Sequence, residues 1–274
     1  LLNTGEVLGA GEGPLPRSPQ PPGKAPLWNV ATGIVDIAAG RDFLLVLDEA
    51  GNVLAAGAND SGQLGTGDST ASNALVKVAS KVAGIGAGWA HSIRLDSAGK
   101  VWAVGSGKWG QLGSLAGRDA AGWHLVDSTA DAVFSSLGDV TLFRGKDRMI
   151  RGLGANDQGQ ISGGLPASVT TPQILYSMGG AWAGGGSSHV LVLLDNNDLK
   201  VAGSNQYGQI GIGVGANAWG FQFLTGGIGR AAAGRDHSLI LTDSGEPQGM
   251  GANIEGELGS GDQIQRRVPT RIAY

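Results

Sequence analysis

The chain has no cysteine. That excludes disulfides and thiolate metal sites, and it is neutral about compartment, because a disulfide-free chain suits both the cytosol and many bacterial secreted proteins. It has no excess of positive charge either: 19 Lys and Arg stand against 23 Asp and Glu, a formal net charge of −4. A nucleic-acid footprint and a polybasic membrane patch are both excluded on that ground. No apolar run approaches the roughly 18 residues of a membrane span, and no signal-peptide pattern opens the chain. Because the first residue is Leu1 rather than Met, removal of a preceding segment is left open. No stretch keeps a helical apolar period over about 11 residues. What the chain has in quantity is glycine, 50 of 274 residues, far above the roughly 7% of ordinary proteins, with no period of three and 10 prolines. Glycine is therefore read as a turn and close-packing residue.

The glycines are periodic. One set, Gly40, Gly88, Gly138, Gly186 and Gly234, ends an apolar strand in each unit, and a second set, Gly11, Gly57, Gly105, Gly154, Gly203 and Gly251, ends a later one. A third marker is the Gly-Gln pair at Gly62-Gln63, Gly110-Gln111, Gly159-Gln160 and Gly208-Gln209, with Gly256-Glu257 in the last unit. All three keep a spacing of about 48, the size class of propeller and solenoid repeats. Within a unit the signals are for strands: Phe43 to Leu47, Ser92 to Leu95, His189 to Leu194 and His237 to Leu241 are short, apolar and bounded by turns such as Asp48-Glu49-Ala50-Gly51. Pro14 to Pro26 holds six prolines and reads as a stiff connecting loop.

A unit of three or four short strands cannot bury both faces of its sheet alone, so units must stack, and radial stacking leaves few exposed edges. The fold predicted is all-β, a β-propeller of about 48-residue repeats with six blades, one of them incomplete. A seven-bladed ring or a piece of a longer array is the alternative, and an open β-solenoid is a third. The chain is expected to be a single domain over 1–274, with the blade formed by 1–30 closed by 266–274. The third unit is degraded: Thr141 and, in the first unit, Phe43 stand where His91, His189 and His237 stand, and Gly138 to Gly154 is one residue short.

Ala233-Gly234-Arg235-Asp236-His237-Ser238-Leu239, Ala87-Gly88-Trp89-Ala90-His91-Ser92-Ile93 and Gly57-Ala58-Asn59-Asp60-Ser61-Gly62-Gln63-Leu64-Gly65 resemble the repeat of the regulator of chromosome condensation family. The resemblance runs over nearly the whole chain. It implies a propeller, most often seven-bladed, that acts as a protein-binding platform. Neither an insertion like the GTPase-contacting wedge of the nuclear exchange factor nor a basic tail for chromatin is seen. The layout is also similar to that of propeller-type bacterial β-lactamase inhibitory proteins, which use the dipeptide after the first glycine.

Strand direction puts that dipeptide and the loop after the second glycine on one face. There Arg41, Asp42, Trp89, Arg235 and Asp236, with Trp109 and Tyr207 on the companion loops, are candidate partner contacts, since aromatics and Arg dominate interface energetics. Packing on their own blades is the alternative for Trp89 and Trp109, and Trp102, inside a strand, reads as core. Two stretches that depart from the repeat, 114–129 with Trp123 and 212–224 with Trp219, read as long inter-blade loops able to carry function. One His per blade cannot converge on a single metal ion, so these residues are expected to hydrogen-bond the adjacent blade. Asn59-Asp60-Ser61 is a formal glycosylation sequon.

The expected function is a non-catalytic protein-binding propeller that recognises another protein or a cell-surface molecule, without nucleic acid, membrane insertion, metal or cofactor. It is expected either free or within a larger chain or assembly. The Ala/Gly-rich composition favours a bacterial or phage surface or secreted setting over the cytoplasm. Guanine-nucleotide exchange on a small GTPase is the alternative by family analogy, and an enzyme would need two carboxylates from Asp42, Asp139 and Asp236 to converge.

Overall fold

A computed structural model describes residues 4–9, 28–115, 117–213 and 215–272. The Pro14–Pro26 loop and Gly11 lie outside them. Five four-stranded antiparallel sheets follow one another, each running from its innermost strand outward in sequence order. Blade one is β3 (Ile34–Ala39), β4 (Phe43–Asp48), β5 (Val53–Gly57) and β6 (Ser72–Ala79), preceded by a two-stranded sheet of β1 (Val7–Gly9) and β2 (Trp28–Ala31). Blade two is β7 (Val82–Ala87), β8 (His91–Asp96), β9 (Val101–Gly105) and β10 (Ala120–Asp127). Blade three is β11 (Ala130–Phe134), β12 (Val140–Gly145), β13 (Ile150–Ala155) and β14 (Ser168–Tyr176). Blade four is β15 (Gly180–Gly185), β16 (His189–Leu194), β17 (Leu199–Gly203) and β18 (Ala218–Thr225). Blade five is β19 (Ile228–Ala233), β20 (His237–Thr242), β21 (Pro247–Gly251) and β22 (Arg266–Arg271). Among the described residues the only helical element is a single 3-10 turn, Gly113–Leu115. The fold is the propeller expected, with five complete blades and, among the described residues, a two-stranded sixth.

The cores lie between blades. Leu45, Leu47, Val53 and Leu64 of blade one meet Val82, Ile85 and Ala87 of blade two, and Leu191, Leu193, Leu199 and Ile210 of blade four meet Ile228 and Ile240 of blade five. A second strand is thus covered on both faces, which is why β4 and β16 read as continuous apolar runs rather than alternating ones. At roughly 25 cal/mol per Å² of apolar surface, these junctions supply most of the stabilisation that one small sheet cannot generate alone.

The repeat markers have distinct physical jobs. The first-strand glycine makes room for a ring: a Cβ on Gly88, Gly186 or Gly234 would fall inside the imidazole three residues later, and one on Gly40 inside the Phe43 ring. The later-strand glycine needs its backbone, with φ from +103° to +118° at Gly57, Gly105, Gly154, Gly203 and Gly251. The Gln of the Gly-Gln pair closes the turn on itself: Ser61, Trp109, Gln158 and Tyr207 donate their N–H to the Oε1 of Gln63, Gln111, Gln160 and Gln209 at 2.8–3.0 Å.

Three sequence expectations change. In blade three it is Val140, not Thr141, that pairs with Gly154 as His91 pairs with Gly105. Leu137 therefore takes the first-glycine position, tolerated because Val140 carries no ring, and the Leu137–Gly154 interval restores the 17-residue spacing of the other units. The stretches 114–129 and 212–224 are largely the outer strands β10 and β18 rather than loops. Trp102 is partly exposed rather than core, its Nε1 donating to Asp96 Oδ2 at 2.8 Å. At the C-terminal end, β22 is the outer strand of blade five, paired with β21. Closure of the 1–30 blade by 266–274 is not among the pairings of the described residues, and residues 273 and 274 lie outside them.

Candidate functional site

Each blade turns over at the top of its inner strand, and the two residues after that turn line the centre of the top face. With the blade-three register corrected, these are Arg41-Asp42, Trp89-Ala90, Gly138-Asp139, Ser187-Ser188 and Arg235-Asp236. Backbone hydrogen bonds join them from blade to blade: Arg41 N–H donates to Trp89 O (3.1 Å), Trp89 N–H to Gly138 O (3.0 Å) and Ser187 N–H to Arg235 O (2.9 Å). Inside the blades the second carbonyl of each pair, in Asp42, Ala90, Asp139, Ser188 and Asp236, accepts the N–H just after the later-strand glycine at 2.8 Å. A hydrogen-bonded rim, continuous from blade one to blade three and from blade four to blade five, therefore holds side chains that vary from blade to blade.

Trp89 is at the middle of it. The Arg41 guanidinium lies 4.9 Å from its ring centroid and that of Arg235 6.0 Å, although the three residues come from blades one, two and five. Each arginine is held by its own neighbour, Arg41 Nε to Asp42 Oδ2 at 3.2 Å and Arg235 Nε to Asp236 Oδ2 at 3.4 Å, yet the two side chains are 59% and 73% exposed. Ser187 Oγ is 2.8 Å from the Arg235 carbonyl and 2.9 Å from Asp236 Oδ1. Beside this runs an open cleft of about 230 Å³, lined by Trp89, Leu137, Gly138, Asp139, Ser187 and Arg235. Burial pushes the Asp139 carboxyl above the ordinary carboxylate range, with nearby Asp157 adding to the rise and Lys108 opposing it. Gln111 Nε2 donates to Asp139 Oδ1 at 3.2 Å.

Of the residues singled out in the sequence, Arg41, Asp42, Trp89, Arg235 and Asp236 come together here. The others sit on separate blade junctions. Trp109 packs on the core shared by blades two to four, with Lys108 Nζ 5.6 Å from its ring. Trp123 lies against Gly65 of blade one, and Arg94 is sandwiched 5.0 Å from Trp123 and 5.1 Å from Trp102. Trp219, 58% exposed, covers Gly159 and Gly163 of blade three. Tyr207 is partly buried in the turn that Gln209 closes. Gly138 and Leu137 were missed as cleft residues, and the constant 17-residue interval to the later glycine was the signal that could have found them.

Of the three histidines expected to hydrogen-bond the adjacent blade, His91 and His189 do so. His91 Nε2 is 3.1 Å from Thr141 Oγ1, which in turn donates to Gln111 O at 2.8 Å. His189 Nε2, Ser238 Oγ and Gln209 O repeat the chain at 2.9 and 2.8 Å. The hydroxyl proton is used on the carbonyl, so the imidazole must donate from Nε2, and the buried Nδ1 of both rings has no hydrogen-bond partner. Burial lowers the His91 pKa to about 4 and that of His189 to about 3. Asn59 of the formal sequon is fully buried, its amide bound to Thr66, Asp68 and Thr70 and its Oδ1 to Leu64 N–H, so it is a turn pin rather than a glycan acceptor or contact residue. Among the described residues no group of three or more His, Asp or Glu side chains could hold a metal ion.

The family model described as the regulator of chromosome condensation (RCC1) repeat matches residues 34–63 and 184–209, spanning blade one and blade four at the register of the two glycines and the Gly-Gln pair. Two segments of the chain thus carry the RCC1 repeat. Similar solved structures agree with the fold of an RCC1-repeat propeller. Human WBSCR16 is 21% identical with a TM-score of 0.77, covering 90% of this chain and 71% of its own. Prp20p from Saccharomyces cerevisiae, described with its binding to Gsp1p and histones, is 20% identical with a TM-score of 0.70, covering 88% and 77%. Yeast RCC1 (Prp20) bound to Kap60 is 20% identical with a TM-score of 0.65, covering 88% and 75%. At these identities the likeness is one of fold. No curated protein matches the sequence.

Proposed function

We propose that this RCC1-repeat propeller is a non-catalytic protein-binding platform whose contact surface is the centre of the top face. The observation that carries the reading is Trp89 flanked by the exposed Arg41 and Arg235 on the hydrogen-bonded rim of the top face. An indole and guanidinium groups held in place lose little entropy on binding, and Trp and Arg are the residues that most often dominate an interface. The partner is read as a protein, in keeping with the protein partners named for Prp20p and yeast RCC1. A surface or secreted setting remains part of the proposal.

The test is affinity capture with mass spectrometry, using the wild-type chain, a Trp89→Ala/Arg235→Ala variant and a Trp219→Ala control as baits. Loss of about tenfold or more of the captured partner in the double variant, with the control and the melting temperature little changed, is the expected outcome. Equal capture by all three baits removes the top face from the reading. Nucleotide exchange on a small GTPase is a second reading, supported by the likeness in fold to Prp20p, which is described with Gsp1p. Failure to accelerate fluorescent-nucleotide release from any of a panel of small GTPases would remove it.

A further inference from the structure

Three of the five post-turn pairs on the top face end in aspartate: Asp42, Asp139 and Asp236. In blades one and five the residue before the aspartate is an arginine, and the two pair, Arg41 Nε with Asp42 Oδ2 at 3.2 Å and Arg235 Nε with Asp236 Oδ2 at 3.4 Å. In blade three the residue before Asp139 is Gly138. No side chain can stand there without the backbone shifting, because a Cβ on Gly138 would come 2.5 Å from the Ser187 carbonyl oxygen and 2.7 Å from that of Gly186, both in blade four. The position that supplies the cation in blades one and five is therefore closed to one in blade three.

Asp139 is left without a counter-charge: among the described residues no basic side chain forms an ion pair with it. The hydrogen bond that reaches its Oδ1, at 3.2 Å, comes from the neutral Gln111 amide. Arg235, which lines the same cleft, is held by Asp236, and Lys108 Nζ lies 5.6 Å from the Trp109 ring centroid. Burial has stripped the carboxylate of part of its water and raises its pKa, so the ionised form is a cost to the free protein. The cleft of about 230 Å³ gives a cation a way in, and its lining combines apolar surface from Trp89 and Leu137 with this one carboxylate. An aliphatic stem ending in a positive charge, the build of Lys and Arg, is the complement of that lining.

We propose that the top-face cleft receives one basic side chain, a Lys or Arg, from the partner polypeptide, its stem packing on Trp89 and Leu137 and its charged head pairing with Asp139. The inference rests on the reading of this face as a protein-binding platform and names the chemistry of the anchor the partner presents. Arg41 and Arg235 add a condition. Both flank Trp89 with side chains 59% and 73% exposed, so a second basic residue beside the anchor would meet like charge. The segment that carries the anchor therefore has neutral or acidic neighbours, and a run of basic residues is selected against even though the chain as a whole has a net charge of −4.

The probe is the peptide acetyl-Gly-Asp-Lys-Asp-Gly-amide, titrated into the full chain and followed by NMR through the indole N–H resonance of Trp89, which is assigned by its loss in Trp89→Phe. Expected are a saturable shift, binding about tenfold weaker when norleucine replaces the peptide's Lys, and binding about tenfold weaker to Asp139→Asn. Asp139→Asn keeps the shape of the side chain and removes an unpaired charge, so its melting temperature should be unchanged or higher. The norleucine peptide leaves the protein untouched and decides the matter whatever that variant does to folding. Absence of a saturable shift, equal binding of the norleucine peptide, equal binding to Asp139→Asn, or tighter binding of the same peptide with Lys in place of both Asp residues overturns the proposal. Asp139→Asn also joins the baits of the capture assay. A partner retained by it but lost by Trp89→Ala/Arg235→Ala overturns the basic anchor and leaves the platform reading standing, whereas equal capture by every bait removes the platform reading itself.

Discussion

Lowering the pH from 7.5 to 5 should weaken the fold through two side chains 98 positions apart. His91 and His189 are 0% and 1% exposed. Each donates from Nε2, so a second proton would have to go on an Nδ1 that is buried with no acceptor. Their pKa values are held at about 4 and about 3, against 6.5 for a free imidazole. Both rings bind protons more weakly folded than unfolded, so the unfolded chain takes them up first as pH falls. The contribution is complete above pH 6.5 and is lost progressively toward pH 4 and 3. At pH 5, 1.5 units below the free value, each costs about 2 kcal/mol at 1.36 kcal/mol per unit. The sum, about 4 kcal/mol, is a large part of the roughly 5–15 kcal/mol that holds a typical domain. For a chain of this size it corresponds to a fall in melting temperature of about 10 °C. His237, also lowered by burial and opposed by Glu257 and Asp236, acts in the same direction. Asp36 and Asp139, raised by burial, act oppositely as pH falls into the carboxylate range. The assay is urea unfolding followed by circular dichroism at half-unit pH steps, on the wild type and on His91→Gln/His189→Gln, which keeps an amide donor and removes the titration. A wild-type stability that is flat from pH 7.5 to 5, or an equal loss in the double variant, would refute the reasoning.

Other outcomes follow from the same contacts. Thr141→Val should cost about 1–3 kcal/mol in urea unfolding, since it leaves His91 Nε2–H and the Gln111 carbonyl buried without a partner, whereas Thr141→Ser should be close to neutral. Gly203→Ala, at φ +103° and with its new Cβ overlapping the Ser188 carbonyl, should lower stability by about 2 kcal/mol or more. Gly122→Ala, with no atom within 4 Å of the added carbon and no positive φ, should change the melting temperature little. Asn59→Asp should destabilise by about 1–3 kcal/mol, because a carboxylate cannot donate to the Asp68 and Thr70 carbonyls.

The strands, their order and the blade dimension were legible in the chain because each rests on a local requirement. A ring three residues after a turn demands glycine, a residue at φ near +110° demands glycine, and a strand covered on both faces must be apolar throughout. Even the lapse in blade three obeys this logic: Leu137 is permitted by Val140, and the error came from trusting the residue type over the 17-residue interval. The outer strands β10 and β18 were hidden because they are partly solvated and carry no continuous apolar run. Of the candidate contacts, Arg41, Asp42, Trp89, Arg235 and Asp236 were found by position alone, since strand direction places every post-turn pair on one face. That Trp109, Trp123, Tyr207 and Trp219 belong to separate junctions has no counterpart in the local sequence.

By itself the sequence determined a repeated all-β unit and the face on which the repeats differ, because turn geometry and strand burial are set within a few residues. Only the tertiary structure decided that Trp89 lies between arginines of blades one and five, and that Trp123 and Trp219 each lie against glycines of the preceding blade. Both depend on how far each blade is rotated about the common axis, a quantity set by the packing of neighbouring sheets and carried by no single stretch of chain.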